Sequence, residues 1–193
     1  MSFITGTVAE LLYSLSSAVT KNTYTTIAAY TGVAGTNTIC SIPGGYFVNL
    51  NPNPIGRTLY LEMHGTIANT AAATFANAIN VNPTVATSTG NITINTAYTP
   101  TASVTAPFWV KAWITCTVFT TSAMTLQING EVNYHSVASG GAPTTTQQTA
   151  GFTGTIASLD PRVTQYVELF GTWSASSASN TTTVQQMKLF GCN

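Results

Sequence analysis

The sequence predicts an all-β chain folded as one antiparallel β-sandwich. Three observations predict it. From Thr23 onward the chain runs in short stretches of β-branched and aromatic residues. Gly, Pro, Asn and Ser clusters separate these stretches, and the clearest of them alternate with period two. At 193 residues the chain suits a single all-β domain, and 44% hydrophobic with 10% aromatic content gives it enough to bury, which rules out disorder.

Residues 1–22 stand apart. Leu12, Leu15 and Val19 recur at helix-like spacing, diluted by Ser and Thr, which predicts either a short helix or an extended arm ahead of one domain spanning 23–193. The first clear strand is Arg57–Ile67, where Leu59, Leu61 and Met63 face one way and Tyr60, Glu62 and His64 the other. Asn91–Tyr98 carries Ile92 and Ile94 on one face. Met124, Leu126 and Ile128 alternate up to Asn129-Gly130, a dipeptide that predicts a two-residue hairpin turn, with Val132 and Tyr134 beyond it. Phe152–Ile156, Val163–Trp173 and Thr182–Phe190 complete the set. The stretches 49–56 and 139–146 carry Gly and Pro where strands cannot continue.

Two strands are apolar on both faces. In Pro107–Phe119, Phe108, Val110, Ala112, Ile114, Cys116 and Val118 form a core face, while Trp109, Trp113 and Phe119 occupy the opposite one. In Tyr166–Trp173, Val167, Leu169 and Trp173 share one face, and Tyr166 and Phe170 flank Glu168 on the other. A sheet in a single sandwich meets the core on one face only, so the second face needs a cover. Trp109, Trp113, Phe119, Tyr166 and Phe170 are therefore candidate subunit-interface residues. The alternative is that a loop or the N-terminal segment folds over them.

Charged residues make up 5% of the chain against a usual ~25%, and the five basic and five acidic side chains cancel. No basic field exists to hold a nucleic-acid backbone. No apolar run reaches the ~20 residues that a membrane helix needs. Cys40, Cys116 and Cys192 form no CxxC pattern and read as free thiols, and the start Met1-Ser-Phe-Ile-Thr lacks signal-peptide character, so cytoplasmic synthesis is expected.

Catalysis lacks material. His64 and Glu62 could form an acid–base or half-metal pair, but no HExxH motif and no second nearby His accompany them. A serine triad would have to use Asp160, the only Asp, which sits in the turn-like Leu159-Asp-Pro-Arg162. The expectation is a non-enzyme without cofactor or metal. A rigid β scaffold carrying exposed Trp, Tyr and Asn could instead bind sugars.

The stretch Val167–Leu189, with its aromatic strand, its turn Trp173-Ser-Ala-Ser-Ser-Ala-Ser-Asn180 and its final β-rich strand, resembles the closing hairpin of jelly-roll virion proteins of tailed bacteriophages. Those proteins are similar to the trimeric tumour-necrosis-factor/C1q type. The resemblance implies jelly-roll topology and a homotrimer on the capsid surface, a decoration or cement protein clamping copies of the major capsid protein. It also implies that the N-terminal segment touches the shell, through Leu11, Leu12, Tyr13 and Leu15. The alternative is a tail or fibre accessory module that reads a host cell-surface glycan.

Overall fold

The computed structural model describes residues 10–15, 17–22, 25–31, 39–49, 54–69, 73–101, 104–137 and 143–192. Among these are twelve strands and no helix: β1 (Glu10–Ser14), β2 (Val19–Asn22), β3 (Ala28–Ala29), β4 (Ser41–Ile42), β5 (Thr58–Ala68), β6 (Phe75–Asn82), β7 (Ile92–Tyr98), β8 (Thr105–Phe119), β9 (Met124–Val137), β10 (Pro143–Leu159), β11 (Gln165–Trp173) and β12 (Thr181–Cys192). The larger sheet runs β1-β12-β5-β8-β9-β10, with β2 also pairing with β12. The smaller runs β3-β11-β6-β7, with β4 also pairing with β11. The chain changes sheet at β2–β3, β4–β5, β5–β6, β7–β8, β10–β11 and β11–β12. The expected antiparallel sandwich is present, and its crossing pattern is that of a jelly roll.

The alternation read from the sequence sets the layers. In β5, Leu59, Leu61, Met63 and Ile67 are buried, while Tyr60, Glu62 and His64 stay partly exposed. Val110, Ala112 and Ile114 of β8 extend this inner face, and Ile79, Val81, Val167, Leu169 and Trp173 of the smaller sheet complete the core. A buried polar chain links the two sheets. Tyr30 Oη donates to Asn77 Oδ1 (2.7 Å), Asn77 Nδ2 to Tyr134 Oη (3.4 Å), and Tyr134 Oη to Asn95 Oδ1 (2.6 Å). Tyr98 stacks on Tyr134 with centroids 4.1 Å apart. Each of these polar atoms has a partner, as burial demands.

Three expectations need correction. Of the two forms offered for residues 1–22, the described part takes the extended one, as β1 and β2, but it is built into the sheet edge along β12 and is not a separate helix or arm. Residues 1–9 lie outside the described residues.

Asn129-Gly130 is not a hairpin turn, because β9 runs straight through it. Gly130 pairs with Ala112 on one side and Phe152 on the other. A Cβ there would collide with the Lys111 carbonyl and the Phe152 ring, so this glycine serves close packing. The connection between β9 and β10 falls at 138–142, outside the described residues, and β10 already begins at Pro143, inside the stretch expected as a loop.

Finally, β8 slips register between Cys116 and Val118, and one extra residue reverses the alternation. Val118 turns out to solvent, 53% exposed, while Phe119 packs against the core.

Candidate functional site

The outer face of the larger sheet is organised in cross-strand rows. One row is Leu11–Phe190–Tyr60–Trp113–Asn129–Thr153, running from β1 to β10. The next is Lys188–Glu62–Lys111–Glu131–Gly151, four alternating charges ending on a glycine. A third reads Gln186–His64–Trp109–Asn133–Thr149. Residues directly opposite on neighbouring strands are ~5 Å apart at Cβ, so each row is a line of touching or nearly touching side chains.

In the first row the Tyr60 ring lies 5.5 Å from Trp113 and 6.3 Å from Phe190. Trp113 is 43% exposed and Leu11 54%. The hydroxyl of Tyr60 titrates above its ordinary value, first through burial and then through the nearby Glu62 and Glu131 carboxylates.

Around Trp113 the face sinks into a depression of about 570 Å³, lined by Trp113, Asn129, Gly130, Glu131, Thr149, Gly151, Phe152 and Thr153. Two glycines lie on facing strands here. Gly151 would carry a side chain into the depression; an added Cβ would have the Gly130 carbonyl at 3.8 Å as its nearest neighbour. Hydrogen bonds fix the polar wall. Thr155 Oγ1 donates to Gln127 Oε1 (2.7 Å), Gln127 Nε2 to Thr153 Oγ1 (2.9 Å), and Thr153 Oγ1 to Asn129 Oδ1 (2.6 Å). Asn133 Nδ2 donates to Thr149 Oγ1 (2.7 Å). This directional chain uses the amide oxygen of Asn129 and leaves its Nδ2 donor free of partners among the described residues. The geometry provides an exposed indole beside preorganised donors and acceptors, over a floor of bare backbone.

The sequence-predicted residues divide. Trp109 and Trp113 stand on this face, and Lys111 Nζ lies 4.7 Å from the Trp109 ring centroid. Phe119 turns inward at the bulge. Tyr166 and Phe170 sit on the outer face of the smaller sheet, where Phe170 is only 1% exposed and offers no surface to a second subunit. Of the four candidate shell contacts, Leu12, Tyr13 and Leu15 pack against the chain's own core, because a register shift between Leu11 and Tyr13 turns neighbouring residues inward. Leu11 remains outward, at the end of the aromatic row.

Sequence reading placed Tyr60 and Phe190 on strands but did not join them to Trp113, since register is a tertiary property. It also missed Asn129, Glu131 and Gly151. The glycines at 130 and 151, inside runs rich in strand-forming residues, were the signal that could have found them.

The polar candidates form no catalytic cluster. His64 Nε2 and Glu62 Oε1 are 3.0 Å apart on the open sheet face. Asp160 is engaged by Arg162 through two side-chain bonds of 2.9 and 2.7 Å, which hold its carboxyl down at about 2. His64, Glu62 and Asp160 line neither the depression beside Trp113 nor a smaller one of about 240 Å³ beside Phe170 and Ile27 on the smaller sheet. Among the described residues no three His, Cys, Asp or Glu converge as metal ligands, and no helix is long and apolar enough to cross a membrane. Cys40 and Cys116 are buried and free, and burial pushes both thiols up.

No family model and no curated protein matches the chain. Among solved structures it is similar to the CBM2 module of the evolved Dit of Lactobacillus casei BL23 phage J-1, at 10% identity over 97% of each chain with a TM-score of 0.33. A likeness of that strength leaves function to be argued from the site itself.

Proposed function

We propose that this chain is a non-enzymatic bacteriophage virion protein, a jelly-roll accessory module of tail or fibre that binds a host cell-surface glycan on the outer face of its larger sheet. One observation carries the reading: the indole of Trp113 stands at a depression whose floor is glycine and whose walls are hydroxyl, amide and carboxylate groups. A sugar ring has an apolar C–H face and a polar rim, and it needs a flat aromatic surface and fixed hydrogen-bonding groups side by side. The hydrogen bonds from Thr155 to Asn129 hold those groups before any ligand arrives, which lowers the ordering cost of binding. The phage context comes from the resemblance of the 167–189 stretch.

The test is a glycan screen with the wild-type chain, followed by Trp113→Ala against the best binder. Truncating a central aromatic contact costs at least ~2 kcal/mol, roughly 30-fold in affinity. Retained binding in Trp113→Ala, at unchanged thermal midpoint, removes the site.

A second reading is favoured by the extent of the aromatic row. From Trp113 through Tyr60 and Phe190 to Leu11 it continues for three more strands, ~14 Å beyond the depression. A homotrimer burying that row would suit a decoration protein on the capsid surface, clamping major-capsid-protein neighbours by three modest contacts at high effective concentration. Light scattering separates the readings: a mass near 20.2 kDa supports the first. A mass three times that, falling to one in Trp109→Ser/Trp113→Ser, supports the second.

A further inference from the structure

Resting on the glycan reading, we infer that the depression beside Trp113 is selective for neutral hexopyranose chains and rejects glycans that carry carboxylates. The charge pattern of the larger sheet is the basis. Glu131 lines the depression, between Asn129 and Asn133 on the same face of β9. Lys111 stands directly opposite it in register on β8 and is the cation placed to neutralise it. That ammonium is directed elsewhere, lying 4.7 Å from the centroid of the Trp109 ring. The two ion pairs among the described residues are His64–Glu62 and Arg162–Asp160, so Glu131 has none. On the other side its cross-strand neighbour is Gly151, which carries no group to shield it.

The depression thus holds a carboxylate and no cation, since its lining contains neither Lys nor Arg. A carboxylate beside the indole accepts hydrogen bonds from sugar hydroxyls, and charge-assisted bonds of this kind are about twice as strong as neutral ones. Asn129, two residues away on the same strand face, supplies the complementary donor through its free Nδ2. Acceptor and donor together match a pair of neighbouring hydroxyls on a ring stacked against Trp113. A uronate or sialate carboxylate at the same place would meet Glu131 as a like charge that no ion pair neutralises, and that repulsion is the source of the selectivity. Without the bare floor at Gly151 the ring could not reach both groups, because any side chain there would project into the depression.

The experiment uses the full chain and two probes, a soluble neutral galactan and polygalacturonate, a polymer whose galactose-type units carry a carboxylate at C6, with affinity read by electrophoresis through gels containing each polymer. Wild type is expected to be retarded by the galactan at least tenfold more strongly than by polygalacturonate at low salt, with the gap narrowing as salt screens the repulsion. Glu131→Gln keeps the shape, removes the charge, and should close most of the gap by weakening galactan binding and admitting the polyuronate. Gly151→Val should abolish retardation by both. Thermal midpoints of the variants report folding independently.

Equal or stronger retardation of wild type by polygalacturonate overturns the inference, as does an unchanged ratio in a folded Glu131→Gln. If wild type is retarded by polygalacturonate and the effect depends on Trp113, the glycan reading stands while the selectivity falls. Retardation by neither polymer, together with an empty glycan screen, overturns both.

Discussion

The two outer faces of this sandwich solve the same problem in opposite ways. Both sheets carry large apolar residues on the side away from the core. On the smaller sheet the chain covers the Glu168 end of its own face, leaving a depression of about 240 Å³ beside Phe170 and Ile27: Asn80 Nδ2 donates to the Thr87 and Thr89 carbonyls (2.8 and 3.0 Å), and the Ala86 N–H donates to Glu168 Oε2 (2.8 Å). The β6–β7 connection is thereby drawn over a carboxylate only 2% exposed, and Phe170 is equally enclosed. On the larger sheet no described segment crosses the face, and Trp113, Tyr60 and Phe190 remain in line. The nine-residue connection 83–91 buries Glu168, whereas among the described residues nothing comparable lies over the larger face.

Packing under the larger face offers the strongest way to break this contrast. Gly130→Val should destabilise the chain by about 3 kcal/mol, because the added atoms meet the Lys111 carbonyl and the Phe152 ring with nowhere to move. Urea denaturation checks it. A loss below 1 kcal/mol would mean that the β9–β10 hairpin is loosely held and that the depression is not preformed.

On the covered face, Glu168→Ala should cost about 1–3 kcal/mol by leaving the Ala86 N–H without its acceptor. Glu168→Gln keeps an acceptor and should be neutral or stabilising at pH 7. The pH dependence carries the sign. Burial raises the Glu168 carboxyl above its ordinary value of 4.5, and the Ala86 N–H pulls it back only in part. The folded state therefore binds this proton more tightly than the unfolded state. Its contribution is fully present below the ordinary value and is lost as pH rises through the raised folded value. Glu168→Gln should remove that decline, as urea midpoints at pH 4 and pH 7 will register. A wild-type decline that persists unchanged in Glu168→Gln would mean that another group titrates.

Smaller still is Ala86→Gly. Ala86 adopts φ +58° to bring its N–H onto Glu168, and glycine there should stabilise by at most about 1 kcal/mol, a rise of a few degrees in melting midpoint. The smallest effect belongs to Arg162→Ala. The pair it breaks is exposed, so the melting midpoint should not move, while the Asp160 carboxyl should climb from about 2 towards its ordinary value in an NMR titration.

Strand content and facing were legible wherever alternation ran uninterrupted, as in β5 and most of β8, because a side-chain period of two is a local property of extended backbone. Legibility failed at irregularities. The bulge after Cys116 cannot be seen in a run where both faces are apolar, and it exchanged Val118 and Phe119. Asn129-Gly130 has the composition of a hairpin turn, yet the ring of Phe152, 22 positions later, requires a glycine in mid-strand. The helix-like spacing of Leu12, Leu15 and Val19 was overridden by pairing with β12, since a segment too short to hold a helix alone gains more from a sheet edge.

By itself the sequence determined that the chain is a two-layer β protein, poor in charge, with more aromatic surface than one core can absorb. These follow from composition and period, which local sterics and hydrophobicity decide. Only the tertiary structure decided which aromatic residues share a row, that Glu131 faces a depression whose lining holds no lysine, and that the 83–91 connection covers Glu168 on one outer face while no described segment does the same on the other. Each of those depends on register between strands distant in the chain, set by the packing of whole sheets.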